Sequence, residues 1–263
     1  MNSFHPLIPS LFPPEKIVAG FTTRQGGVSL PPFDSLNLGT RTADDPQSVC
    51  ENYRILFTAL GVRDEQTALM QQIHDTSIRV IDRGVVYPET DCLLTIEPCV
   101  LLGVRVADCV PVLFHDPRTG IVGAVHCGWR PITAGILERT LDIMRGEWHS
   151  APVDILAALG PSAGPCCYEV GPEVAVKFAP SSVENRGGRF YADLRGEIRR
   201  RLRALGVHDS HIESLPGCTI CNDALYFSHR RDGDRAGRMM GYIMMRREVR
   251  NACRIFLRKG RIH

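Results

Sequence analysis

Residues 106–130, VADCVPVLFHDPRTGIVGAVHCGWR, restrict what this chain can fold into more than any other stretch. Two alternating apolar runs flank Asp116-Pro117-Arg118-Thr119-Gly120, whose residues supply the backbone angles and short polar side chains of a turn. An antiparallel hairpin is expected. With residues 116–119 as its loop, 115 faces 120 and Cys109 faces His126. Directly opposed Cβ atoms lie roughly 4.5–5.5 Å apart, close enough for a thiolate and an imidazole to share one metal ion. A one-residue slip would send the two side chains to opposite faces of the sheet.

Two donors make a poor zinc site. His74, in the polar turn MQQIHDT at the end of an apolar segment, is the best third candidate. Three protein donors leave the fourth tetrahedral position for water or substrate, the arrangement of catalytic zinc. The His/Cys/His set favours Zn²⁺ among common cytosolic metals, and copper also fits such donors. Asp108 and Asp75 adjoin two of the three and are candidate ligand-orienting groups or proton carriers. Without a metal, Cys109 and His126 could instead serve as the nucleophile and base of a Cys–His hydrolase or amidase. His74 separates the two readings, because a dyad has no need of it. Taken singly, each of these residues would more often be a packed or hydrogen-bonded structural side chain. His115, His149, His208, His211 and His263 have no such neighbours in the pattern and are read as surface or turn residues.

The rest of the chain supplies a strand-rich frame. Strands are expected near 17–22, 77–82, 99–106, 110–115, 120–126, 152–158 and 239–246. A helix over 46–61 is marked by Asp45 as cap, Pro46 in its first turn, a stripe of Val49, Tyr53, Leu56, Phe57 and Leu60, and Gly61 as a stop. Further amphipathic helices are expected over 131–145 and 192–205, the latter with Leu194, Ile198, Leu202 and Leu205 inward and its arginines outward. Strands and helices do not alternate regularly. The fold class expected is α+β, a mixed-sheet layered sandwich with helices packed outside, in one domain over 1–263. At 263 residues such a domain buries a substantial core.

A net charge of only +2 gives no electrostatic case for nucleic acid, and the arginine runs at 199–201, 230–231 and 246–247 read as solvated helix faces or strand ends. No apolar run approaches the roughly 18 residues of a membrane helix, and the amino terminus lacks a signal-peptide pattern. A cytoplasmic location follows as the expectation. Disulfides are then not expected among the ten cysteines. Cys50, Cys92, Cys99 and Cys253 are read as small packed hydrophobes. Cys166-Cys167 and the Cys218-Thr219-Ile220-Cys221 pair are either a four-thiolate structural zinc site or reduced, redox-sensitive thiols, and adjacency of the first two argues against a shared metal.

At these same residues the chain resembles a known family. FTTRQGGVS (21–29), LNLG (36–39), QQIH (71–74), ADCVPVLF (107–114), HCGWR (126–130), GPSAGPCCYEVG (160–171), CT (218–219) and FSHRRDGDRAGRM (227–239) match, in order, the laccase-domain (YfiH-like) family. Its members were once labelled multicopper polyphenol oxidases and are now understood as purine nucleoside phosphorylases. The resemblance implies zinc on His74, Cys109 and His126, and no second zinc. It also implies phosphorolysis of adenosine, inosine and methylthioadenosine to free base and sugar 1-phosphate, and hydrolytic deamination of adenosine. Purine nucleosides and phosphate are therefore the expected partners, with no nucleic acid or membrane. Arg24, in the RQGGVS turn, and Arg130 are the candidates for phosphate, Asn37 for a polar ligand group, and Asp108 for the proton. The chain departs from the family pattern at Cys127, Pro131 and His229. Cys127 alternates with His126 and should face away from the metal, and Pro131 suits a first helical turn. Copper-dependent phenol oxidation is the rival that the family's older label suggests, but the chain has no His-x-His pair. A non-enzymatic purine-sensing or peptidoglycan-associated module is a third reading, for which an open cysteine-containing metal site would be an odd feature.

Overall fold

A computed structural model describes residues 4–247, so Cys253 and His263 lie outside the described residues. In chain order the elements are β1 (Ile17–Phe21), α1 (Pro46–Leu60), β2 (Thr67–Met70), β3 (Ile78–Val80), β4 (Val86–Tyr87), β5 (Cys92–Thr95), β6 (Leu101–Val106), β7 (Val110–His115) and β8 (Val122–Cys127). There follow α2 (Trp129–Thr133), α3 (Ile136–Trp148), β9 (Leu156–Leu159), β10 (Glu169–Val170), α4 (Pro172–Ala175), β11 (Val183–Arg186) and β12 (Arg189–Ala192). The series closes with α5 (Leu194–Ala204), β13 (Ile212–Ser214), α6 (His229–Asp232) and β14 (Met239–Met245).

Two mixed sheets make the frame, a five-stranded one ordered β1-β14-β6-β2-β4 and a six-stranded one ordered β13-β9-β7-β8-β5-β3. A small third sheet is ordered β10-β12-β11. The large sheets pack face to face: Phe21, Val104 and Ile243 of one meet Leu113, Ala124 and Ala158 of the other in a shared core. The outer face of the six-stranded sheet is covered by α3 and α5 through Leu137, Leu141, Ile198 and Leu202. Helix α1 covers the other outer face, where Leu56 and Phe57 pack on Leu101 and Tyr242. Burial on both faces explains why β7 and β8 are apolar apart from His115 and His126. The architecture is the α+β layered sandwich expected, with helices outside.

Local chemistry accounts for the ends of these elements. Asp45 caps α1 by accepting from the Gln47 and Ser48 N–H groups. Gly61 ends α1 in the left-handed region at φ 67°. The helix expected over 131–145 is instead two, because Gly135 at φ 87° breaks the ladder between α2 and α3. The strand expected over 152–158 begins only at Leu156, after a single 3₁₀ turn at Pro152–Asp154.

Three other readings need correction. His115 is buried on β7, with Nδ1 against the Ile121 carbonyl at 3.2 Å. Cys50 is exposed on α1, whereas Cys92 is buried as expected. Arg201 is not solvated: it bonds to the fully buried carboxylate of Glu197 at 2.8 Å and to Glu138 at 3.0 Å.

Candidate metal centre

The β7–β8 hairpin forms, in a register two residues from the one expected. Val110 pairs with Cys127, Pro111 with His126 and His115 with Val122. The reason lies in the turn. Asp116 N–H donates to the Ile121 carbonyl at 3.0 Å, so residues 117–120 form the loop. Asp116 Oδ1 takes the N–H groups of Arg118 and Thr119, and Gly120 adopts φ 78°. A shift of two preserves the faces. Cys109 and His126 therefore still project to one side, as diagonal rather than direct neighbours. Gly128 is what lets the thiol in, since a Cβ there would stand 2.9 Å from Cys109 Sγ. Cys127 points the other way, into the core beneath the helices, as its alternation with His126 requires.

His74 reaches the same point from the turn after β2. One ligand atom from each of His74, Cys109 and His126 lies within 4.8 Å of the others, and the two imidazoles cross edge to face with centroids 4.6 Å apart. Asp91 assembles this turn, and nothing in the sequence pattern had marked it. Its buried carboxylate accepts the consecutive N–H groups of Ile73, His74 and Asp75 at 3.1, 3.1 and 3.0 Å, a nest that His74 completes with a φ of 62°. Asp91 Oδ1 also takes the Nδ1–H of His126 at 2.7 Å, and its carbonyl takes the His126 N–H at 2.8 Å. That fixes the tautomer and leaves Nε2 of His126 as the free donor atom. Asp75, by contrast, only closes its own turn on Thr76 N–H and is exposed.

Charge follows from this packing. Burial works against an ionised Asp91, yet the His126 hydrogen bond and the Asp75 and Ile73 N–H groups hold its carboxyl below the ordinary value. Burial alone would raise the Cys109 thiol, but His126 and His74 outweigh it and bring the thiol down to about 6. His126 moves upward in turn, because Cys109 and Asp91 overcome the desolvation that would lower it. A thiol lowered towards its thiolate and two imidazoles converging on one point are the donor set of a zinc site, and the residues fit that ion.

The three donors line a cavity of about 640 Å³. Arg41, Arg105, Arg130, Arg230 and Arg238 also line it, against one carboxylate, Asp108. Arg105 is held by Thr40 Oγ1 and the Met70 carbonyl, both at 2.6 Å. The Arg130 guanidinium lies over the Trp129 ring at 4.5 Å and makes no hydrogen bond to a described residue, and Arg230 lies over Tyr168 at 4.9 Å. Asp108, in a left-handed turn at φ 87°, accepts from Thr219 Oγ1 and from Arg230 N–H, each at 2.6 Å. His229, itself one of the family departures, and Trp129, which lies between the other two, line the cavity too.

Two expected site residues are elsewhere. Arg24 does not line the cavity: its guanidinium stacks on Phe227 and donates to the Asp34 and Asp223 carbonyls at 2.6 and 2.8 Å and to Asp34 Oδ1 at 3.0 Å. The RQGGVS turn is likewise absent from the lining. Asn37 is fully buried; its amide donates to Thr42 and Asp44 and accepts from the N–H groups of Gly39 and Arg238, which uses it up in shaping the 37–44 loop. Asn37 thus shapes a loop whose residues 39–42 line the cavity, whereas Arg24 ties Asp34 to Asp223 outside that lining.

Comparison with known proteins gives the family and the fold. A family model described as multi-copper polyphenol oxidoreductase laccase matches residues 18–246. The chain is 39% identical over 249 residues to a Geobacillus stearothermophilus protein named purine nucleoside phosphorylase YlmD, covering 88% of this chain and 91% of that one. It is 35% identical over 246 residues to the Escherichia coli protein named purine nucleoside phosphorylase YfiH, covering 91% and 98%. The crystal structure of YlmD from Geobacillus stearothermophilus superposes with a TM-score of 0.83 at 38% identity, over 88% of this chain and 92% of that one. A Neisseria meningitidis structure gives 0.82 at 32% identity, over 93% and 100%.

Proposed function

Because this chain belongs to the laccase-domain family, with relatives named as purine nucleoside phosphorylases, we propose that it is a zinc-dependent purine nucleoside phosphorylase. The substrates in this reading are adenosine, inosine and methylthioadenosine, with hydrolytic deamination of adenosine as a second activity. The observation that carries it is the convergence of His74, Cys109 and His126 at an arginine-lined cavity of nucleoside size. The cavity belongs to one domain, and the nine described cysteines are all free thiols, in keeping with a cytoplasmic enzyme. Among the described residues no helix is long and apolar enough to cross a membrane.

His74, Cys109 and His126 would hold the zinc, which when bound supplies Lewis-acid chemistry at the cavity floor. In phosphorolysis a phosphate oxygen bonds to the anomeric carbon as the glycosidic bond breaks, and the base leaves with the bonding pair. Arg130, stacked on Trp129 with no guanidinium hydrogen bond to a described residue, orients the phosphate by charge-assisted hydrogen bonds, and the neighbouring arginines offset its charge. Tyr168 offers an aromatic flank for a purine. Asp108, fixed by Thr219 and the Arg230 N–H, is the carboxylate placed to hold or pass a proton.

A metal-free Cys–His hydrolase would draw on the same lowered thiol and raised imidazole. His74 favours the metal reading, since the Asp91 nest aims it at a dyad that would not need it. The test is incubation of metal-quantified protein with adenosine, with and without phosphate, and product identification. Adenine with ribose 1-phosphate, formed only with phosphate and lost on chelation, supports the proposal. Turnover that ignores chelation and stops on thiol alkylation would favour the hydrolase, and phenol oxidation with bound copper would favour the oxidase.

A further inference from the structure

A second group of donors meets outside this cavity. The loop before β10 carries Cys166 and Cys167, and the loop after β13 carries Cys218 and Cys221. All four Sγ atoms lie within 4.8 Å of one another. Cys221 Sγ stands 3.3 Å from Cys166 and 2.9 Å from Cys167. A disulfide requires about 2.05 Å. Four sulfurs around a tetrahedral zinc, each about 2.3 Å from it, stand about 3.8 Å apart. The two Cys221 separations fall short of that value by under 1 Å, and every pair lies within 4.8 Å. Adjacency of Cys166 and Cys167 is no obstacle, because the turn on the Gly164 carbonyl, which takes the N–H groups of Cys167 and Tyr168, brings both sulfurs to the same side.

The surroundings of Cys218 suit a thiolate. Cys218 Sγ accepts the Gly164 N–H at 3.2 Å and also a backbone bond from Cys221 within the CxxC loop. Thr219 N–H donates to the Ser162 carbonyl at 3.0 Å, and Ser162 and Cys218 form a parallel bridge, so the two loops are in register before any ion arrives. A four-thiolate zinc carries a net charge of about −2. Arg231, donating to the Thr219 and Ile220 carbonyls at 2.8 and 3.1 Å, and Arg186, donating to the Cys166 carbonyl at 3.3 Å, brace the two loops beside it, each also paired with a carboxylate, Asp232 and Glu184.

We propose that Cys166, Cys167, Cys218 and Cys221 bind a zinc ion as four thiolates, in a closed site distinct from the His74–Cys109–His126 centre. Binding releases the four thiol protons and ties together the two loops. Those loops carry Tyr168, next to Cys167, and Thr219, which holds Asp108. The ion acts as a staple for the cavity wall and takes no substrate.

The experiment is metal analysis of the full chain purified under reducing conditions with zinc supplied. About two zinc ions per chain are expected for the parent. The double variant Cys218→Ser, Cys221→Ser should fall to about one, and His74→Ala should also fall to about one while keeping the other ion. As a measurement that needs no cysteine variant, cobalt(II) is loaded into the metal-stripped His74→Ala chain. The intense sulfur-to-metal absorption of a tetrahedral four-thiolate site is expected. The proposal is overturned if that absorption is missing, if the cysteine variant keeps the parent's zinc content, or if freshly isolated protein carries a Cys167–Cys221 disulfide.

Discussion

Two sulfur-containing clusters sit on either side of Asp108, and they differ in how many donors the protein supplies. The His74–Cys109–His126 group offers three and lies against a cavity of about 640 Å³. The cysteine group offers four, the number that closes a tetrahedral site. Three donors leave a position for chemistry, whereas four leave none. The supports differ too. An acid, Asp91, orients the imidazoles of the first, while backbone N–H groups and arginines surround the second. Replacing one cluster's residues should therefore remove turnover, and replacing the other's should loosen the wall around it.

The largest effect is expected from Cys109→Ala or His74→Ala. Base release should fall to background and about one zinc per chain should be lost, with the other retained at the cysteines. Asp91→Asn should weaken zinc at the catalytic centre by about 10–100-fold, because the imidazole of His126 loses its fixed tautomer. A zinc titration of activity checks this, since excess zinc restores turnover in Asp91→Asn and not in Cys109→Ala. Arg130→Gln should raise the KM for phosphate by about 10-fold or more, the loss of one charge-assisted contact, with deamination of adenosine much less affected. Equal losses in both activities would remove Arg130 from the phosphate role.

The three donors could be read from the sequence because a hairpin with an Asp-Pro-Arg-Thr-Gly turn fixes which side chains share a face, and the family resemblance pointed to the same residues. The exact pairing could not. Whether Asp116 opens the loop or closes the last pair depends on hydrogen bonds of its side chain and of Ile121, and both options carry the same turn residues. Asp91 was invisible for a related reason: its role comes from three N–H groups of a turn some sixteen or more positions away in the chain. Arg24 and Asn37 show the converse limit. Their motif is real, but an arginine with four carbonyl or carboxylate contacts and a saturated amide serve loop geometry, and spacing alone cannot distinguish that from ligand binding. Gly135 split a helix whose apolar stripe reads as continuous.

The smallest effect tests the frame behind both clusters. Burial opposes ionisation of Glu197, but Arg200, Arg201 and Ser182 hold its carboxyl down to about 2, from an ordinary value of 4.5. A depressed carboxyl stabilises the fold fully above its unfolded value, and that contribution is lost as pH falls from about 4.5 towards 2. Glu197→Gln should cost about 1–2 kcal/mol at neutral pH, with the solvent exposure of Arg200 keeping it modest. Denaturant titrations at several pH values should show the gap between parent and variant closing below about pH 4.5, while zinc content stays that of the parent. A gap that is constant with pH would remove the carboxylate charge from the explanation.

The most direct measurement is anomalous diffraction at the zinc absorption edge from crystals grown with phosphate. The expected map has an ion held by one nitrogen each of His74 and His126 and by Cys109 Sγ, with its remaining position turned to the arginines and free of protein. No ion at those three side chains, or an ion there closed off by a fourth protein donor, would contradict a catalytic metal centre.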